Sequence, residues 1–346
     1  MGTGSGIMSL TLENPVPSST VRHAYPVAIL DAGLGTALRL FLRTFPYALV
    51  RLAILLACSL GAIAWWVVAF GGASFLGQRV GGPAGLGWLA LCALGAGALW
   101  RVVLRYALYV VKCGHVAVLT ELVTHDQIGN GQESMFSYGR RIVTERFARV
   151  NVLFAVHQLV AGVVTAFNRT LDWVAQLIPV PGLESVAGLV NAVVRAATSY
   201  IDETLFSYGL ARGGDNPWTT AREGLVYYGQ NAREVLKTAA WVVALDKVLT
   251  ALAWVVCLAP GFLVAGLVPG HAAGLAFFAG LLLALNLRSA FLKPLFLIMV
   301  MTKFHVSVRN QPIDATWDAR LASISGKFTQ IAENARRWTT SPGPTA

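Results

Sequence analysis

The sequence predicts an all-α protein that threads a membrane several times, and three observations carry that expectation. Only 13% of the 346 residues are charged, 55% are apolar, and the mean hydropathy is +0.60. A soluble domain carries about 25% charged residues, so a low-dielectric solvent must cover much of this surface. Two long runs, Leu52 to Gly77 and Val80 to Trp100, hold no charge at all. Arginines gather beside the apolar runs, with Arg22, Arg39, Arg43 and Arg51 ahead of the first one and Arg140, Arg141, Arg146 and Arg149 further on.

Taken in order, residues 1–45 are expected to form a cytoplasmic N-terminal segment with an amphipathic helix. Met1 to Thr20 has neither the basic start nor the apolar run of a signal peptide, so the first span is expected to direct insertion. Residues 46–124 read as a transmembrane hairpin turning at Arg79, Gly81, Gly82 and Pro83. A hydrocarbon core of ~30 Å needs ~20 helical residues, and both arms are long enough. The second arm is expected to run on past the membrane edge, through Arg101, Arg105 and Lys112, until Gly129, Asn130 and Gly131 end it.

Residues 125–199 combine a basic cytoplasmic helix with a second, broken hairpin. Val150 to Asn168 is uncharged apart from His157, whereas Leu171 to Val194 is interrupted by Asp172, Pro179, Pro181, Gly182 and Glu184, the pattern of a broken or re-entrant segment. Residues 200–238 are expected to be a cytoplasmic helix-turn-helix, stopped by Gly213 and Gly214 and restarted by a cap at Asn216 or Thr219.

A third hairpin occupies residues 239–306: Val248 to Gly270 and Ala272 to Leu287, with the second arm continuing through Arg288 and Lys293 to about Phe304. In the tail, residues 307–346, Trp317, Leu321, Ile324, Phe328 and Ile331 share one helical face. That face suits an anionic membrane surface or, as the expected choice, the protein's own cytoplasmic helices. The expectation is about six spans in a plasma or inner membrane, both termini cytoplasmic by the arginine excess.

The chemical inventory argues against an enzyme. The six histidines form no HExxH or paired-ligand spacing, and no Walker, GxSxG or GxGxxG context occurs. Cys58, Cys92, Cys113 and Cys257 stand singly in apolar runs, where they read as small buried hydrophobes, so neither a metal nor a cofactor is expected. The net charge of +10 belongs to the flanks of the spans, not to a nucleic-acid surface. Expected partners are the bilayer, a small solute, further copies of the chain and membrane proteins.

Two stretches look like copies. Ser137, Tyr138 and Gly139 precede Phe154 to Val160, and Tyr227, Tyr228 and Gly229 precede Val243 to Leu249, each Tyr-Gly opening a helix that leads toward a span. Such duplication is a habit of transporters. The run from Asn231 and Ala232 through Trp241, Val242, Val243, Ala244, Leu245, Asp246, Lys247 and Val248 resembles the choline transporter-like family over roughly the last third of the chain. The resemblance implies solute movement across a membrane. The large cysteine-bearing loop of that family and several of its spans have no counterpart here.

Asp246 is the leading candidate residue. Counted from Gly270, it and Lys293 fall at matching depth in an antiparallel hairpin, so an Asp246–Lys293 ion pair is expected, with Lys247 or Arg288 as the competing partner. Trp241 and Trp254 could supply ring faces for a cation. His157 and the breaks at Pro179, Pro181 and Gly182, and at Pro260 and Gly261, could expose groups that hold a solute. Two functions follow: a transporter-like or channel-like protein for a small solute, cationic if the rings converge, or a non-transporting scaffold that docks partners through its cytoplasmic helices.

Overall fold

Beside lipid a backbone must satisfy its own hydrogen bonds, and helix does so within one segment. The computed structural model describes residues 25–99, 105–147, 159–160, 162–163, 192–213, 216–267 and 272–340, and regular structure among them is helical. Among the described residues the fold consists of two hairpins and a helical body.

The first hairpin joins α2 (Phe45–Arg79) to α3 (Gly82–Leu99), with Gly81 at φ 122° making the turn. Trp65 Nε1 donates to the carbonyl of Cys92 at 3.2 Å, and a Cβ on Gly85 would stand 2.7 Å from the Ala73 carbonyl, so the helices touch backbone to backbone. The second hairpin joins α8 (Ala232–Leu267) to α9 (Ala272–Leu287). There Gly280 lies against the Cys257 carbonyl in the same way. The hairpins meet where Asn286 Nδ2 donates to Ser59 Oγ at 2.9 Å and Phe45 stacks on Phe291.

The remaining helices form the body: α1 (Leu34–Arg43), α4 (Arg105–His125), α5 (Met135–Phe147), α6 (Ile201–Arg212), α7 (Pro217–Gln230), α10 (Lys293–Val308), α11 (Ala315–Ile324) and α12 (Gly326–Thr340). Its centre holds Tyr208, Tyr227, Phe304, Leu119, Ile298, Met301 and Phe328, all shielded from solvent. As expected, Gly213 ends α6 at φ 69° and Asn216 caps α7, accepting from the amides of Trp218 and Thr219.

Among the described residues, four helices are long and apolar enough to cross a membrane: Phe45–Arg79, Ala107–His125, Ala232–Ala259 and Phe277–Val308. They differ in surroundings. The first and third expose Leu60, Val67, Phe70, Val248, Val255 and other large side chains, whereas α4 and α10 are walled in by the body. The segments at 150–168 and 171–194 fall almost wholly outside the described residues, as does the link between α3 and α4.

Two expectations need correction. The tail is two helices and not one, because the backbone at Ser325 is extended (φ −143°, ψ 109°) before Gly326, a poor helix former. Leu321, Phe328 and Ile331 all face inward, so the tail packs on the body, chiefly on α7. Nor is α8 broken at Pro260 and Gly261, through which the helix continues.

If α2 faces lipid, Leu60→Arg on its exposed side is expected to disfavour insertion by roughly 2.5–3.5 kcal/mol, while Gln78→Arg beside the turn has no effect. Glycosylation reporters in a microsomal insertion assay measure this, and equal insertion of the two variants would refute the assignment.

Candidate functional site

Ionisable groups from six segments converge where the hairpins join the body. Arg51 comes from α2, Lys112 from α4, Asp202 and Glu203 from the first turn of α6, Asp246 from α8, Arg288 from the five-residue π turn Arg288–Leu292, and Lys293 from α10. Tyr200, at the start of α6, lies within electrostatic range of Glu203, Asp246, Arg288 and Arg51. Burial, with the Glu203 and Asp246 carboxylates nearby, pushes its phenol up to about 12, so the hydroxyl stays protonated at neutral pH.

Asp246 is paired with Arg288, not Lys293. Arg288 Nη2 lies 2.7 Å from Oδ2 and Nε 3.0 Å from Oδ1, a two-pronged contact, and Thr250 Oγ1 accepts from the same Nε at 3.0 Å. Register explains the difference from the expected pair. The contact of Gly280 with Cys257 sets the level of the two helices; Asp246 is eleven residues before Cys257, and Phe291 is eleven after Gly280. That level lies between Arg288 and Lys293. The planar guanidinium can meet both carboxylate oxygens at once, which an ammonium cannot. Lys293 remains within electrostatic range of Arg51, Arg288 and Asp246.

Glu203 is engaged by a cation as well, taking Lys112 Nζ at 2.7 Å. Lys112 also stands over the Tyr109 ring. Among the described residues the junction therefore holds four cations, Arg51, Lys112, Arg288 and Lys293, against three carboxylates, Asp202, Glu203 and Asp246.

Several candidates from the sequence stand apart. Trp241 is 70% and Trp254 41% exposed, and Lys247 is exposed beside the junction. The rings do not converge on Asp246, because their positions on α8 face away from the body. His157, Pro179, Pro181 and Gly182 lie outside the described residues.

Deeper in the body lies a polar chain that the motif reading missed. His305 is fully buried; its Nδ1 bonds Tyr25 Oη at 2.9 Å and its Nε2 bonds Ser207 Oγ at 2.7 Å. Ser207 in turn bonds Thr120 Oγ1 at 2.7 Å, and Thr120 donates to the Val116 carbonyl. A signal existed: Phe-Ser-Tyr-Gly occurs twice, at 136–139 and 206–209. Both copies lean on α4, where Tyr138 Oη donates to Glu121 and Ser207 meets neighbouring Thr120. Close approach also explains the glycine of the first copy, since a Cβ on Gly139 would collide with Tyr47 Oη and the Gly114 carbonyl.

Ser207→Ala is expected to leave a buried His305 nitrogen unpaired and lower stability by about 1–3 kcal/mol. Asp246→Asn, which strips the charge from a partly exposed pair, should cost about 1–2 kcal/mol. Denaturant unfolding in detergent measures both; a Ser207→Ala protein as stable as the native one would remove the polar chain from the core's supports. The chain matches no protein family, no curated protein and no solved structure.

Proposed function

We propose that this chain is a multi-pass membrane protein of the transporter-like or channel-like kind, passing a small charged solute along the junction of its hairpins and body. The reading is supported by the gathering of Arg51, Lys112, Asp246, Arg288 and Lys293 on helices that qualify as spans. Ionisable groups at membrane depth are costly and mark solute or ion paths more often than chance allows. The resemblance of the run around Asp246 to the choline transporter-like family points the same way.

The topology that goes with this reading has about six spans, at 52–77, 80–100, 150–168, 171–194, 248–270 and 272–287, with both termini cytoplasmic and the protein in a plasma or inner membrane. A solute could displace Arg288 from Asp246, or be displaced by it, so that the pair opens and closes a path.

A second reading has its own support. The apolar windows of α2 and α8 are only 11% buried inside the chain, leaving wide faces for other copies or membrane partners. In that case the junction is an anchor and the body is a docking platform.

Proteoliposome uptake separates the two. Labelled quaternary amines, organic acids and inorganic phosphate are offered to native protein and to Asp246→Asn. Transport requires accumulation of at least one solute by the native protein and a loss of about tenfold or more in the variant, equivalent to about 1.4 kcal/mol. No accumulation by folded protein removes the first reading and leaves the second.

A further inference from the structure

Two cations in the junction have no carboxylate of their own. Arg288 occupies both oxygens of Asp246, and Lys112 holds Glu203. Among the described residues, neither the Arg51 nor the Lys293 side chain makes an ion pair or hydrogen bond, and Arg51 Nε is wholly shielded with no acceptor. The carboxylate felt by Arg51 is Glu203, already engaged by Lys112, and Lys293 feels Arg51 and Arg288 as like charges and Asp246, already engaged by Arg288, as the opposite one.

Placement makes this more than an isolated orphan. On α2, Arg51 lies between Phe45, which stacks on Phe291 with ring centroids 5.7 Å apart, and Ser59, which bonds Asn286 at 2.9 Å. Lys293 follows Phe291 by two residues and is exposed, so the seam is pinned on both sides of Arg51 and open at Lys293. Arg51 as a whole is half-buried, and a guanidinium Nε–H shielded without an acceptor is unfavourable. A second cation beside it adds to the cost, and an anion with several acceptor oxygens removes both penalties at once.

We propose that Arg51 and Lys293 together bind an anionic phosphate group in the seam between α2 and the α9–α10 helix. The planar fork of Arg51 fits two phosphate oxygens and the mobile ammonium of Lys293 takes a third. Beyond Arg51, the exposed face of α2 carries Leu60, Ile63 and Val67 away from the seam, a surface along which an acyl chain attached to that phosphate would run. Basic pockets between spans are a recurrent mode of lipid headgroup binding. The phosphate therefore comes either from a phospholipid or from solution. The site does not rest on transport, since a protein that moves nothing can hold such a group.

The test uses the full chain in neutral detergent, with short-chain phosphatidic acid, phosphatidylcholine of the same chain length and inorganic phosphate as probes. Native mass spectrometry and calorimetric titration compare native protein with Arg51→Gln, Lys293→Gln, their combination and the control Arg79→Gln. Native protein is expected to bind phosphatidic acid, the double variant to lose about tenfold or more in affinity, and the control to stay unchanged. Inorganic phosphate binding with the same dependence, without phosphatidic acid binding, assigns the site to the free ion. Binding unaffected by the double variant, or no binding of either phosphate probe by folded native protein, overturns the proposal. Should Arg51→Gln not fold by circular dichroism, exposed Lys293→Gln alone carries the comparison. A negative uptake result leaves this binding intact, so the two hypotheses fail separately.

Discussion

Charge set beside hydrocarbon must be answered within reach of a side chain, because an unpaired ion there costs several kcal/mol. The Asp246–Arg288 contact meets that constraint and in doing so ties α8 to the π turn that follows α9. The π turn admits an extra residue into the helix, and beyond it the chain stops facing outward and enters the body as α10. Outward-facing and body-facing halves of one continuous helix are thus divided at the residue that carries the compensating charge.

Backbone contact supports the same division. Gly85 against Ala73 and Gly280 against Cys257 let each hairpin close without intervening side chains, so the outer faces are left for large apolar residues. In membranes, where apolar burial drives little association, such small-residue contacts are a main source of helix pairing. The body works by the opposite rule: aromatic rings fill its centre, and a chain of hydroxyls and one histidine satisfies the polar groups enclosed with them.

Much of the candidate site was legible as an inventory and little as an arrangement. Asp246 stood out as an acid within an apolar run, and the hairpin placed Arg288 and Lys293 near it. Which cation it takes depended on the contact of Gly280 with Cys257, a pair 23 residues apart that no local pattern announces. Arg51, Lys112 and Glu203 read as flanking charges because their neighbours lie on other helices. The polar chain through His305 was equally hidden, its members being Tyr25, Thr120, Ser207 and His305 from four separate parts of the chain.

By itself the sequence determined the helical class, the first hairpin with its turn near Gly81, the apolar arms of the last one, the stop at Gly213 and a cap at Asn216 or Thr219, all of which follow from short-range hydrophobic runs and backbone preferences. Tertiary structure decided that α2 and α8 present their faces outward while α10, only somewhat less apolar in sequence, is enclosed together with the less apolar α4. The physical reason is that lipid and protein interior are both low-dielectric surroundings, so composition marks a helix as leaving water without saying what replaces the water. Only the packing of distant segments makes that choice, and with it the partners of every charge at the junction.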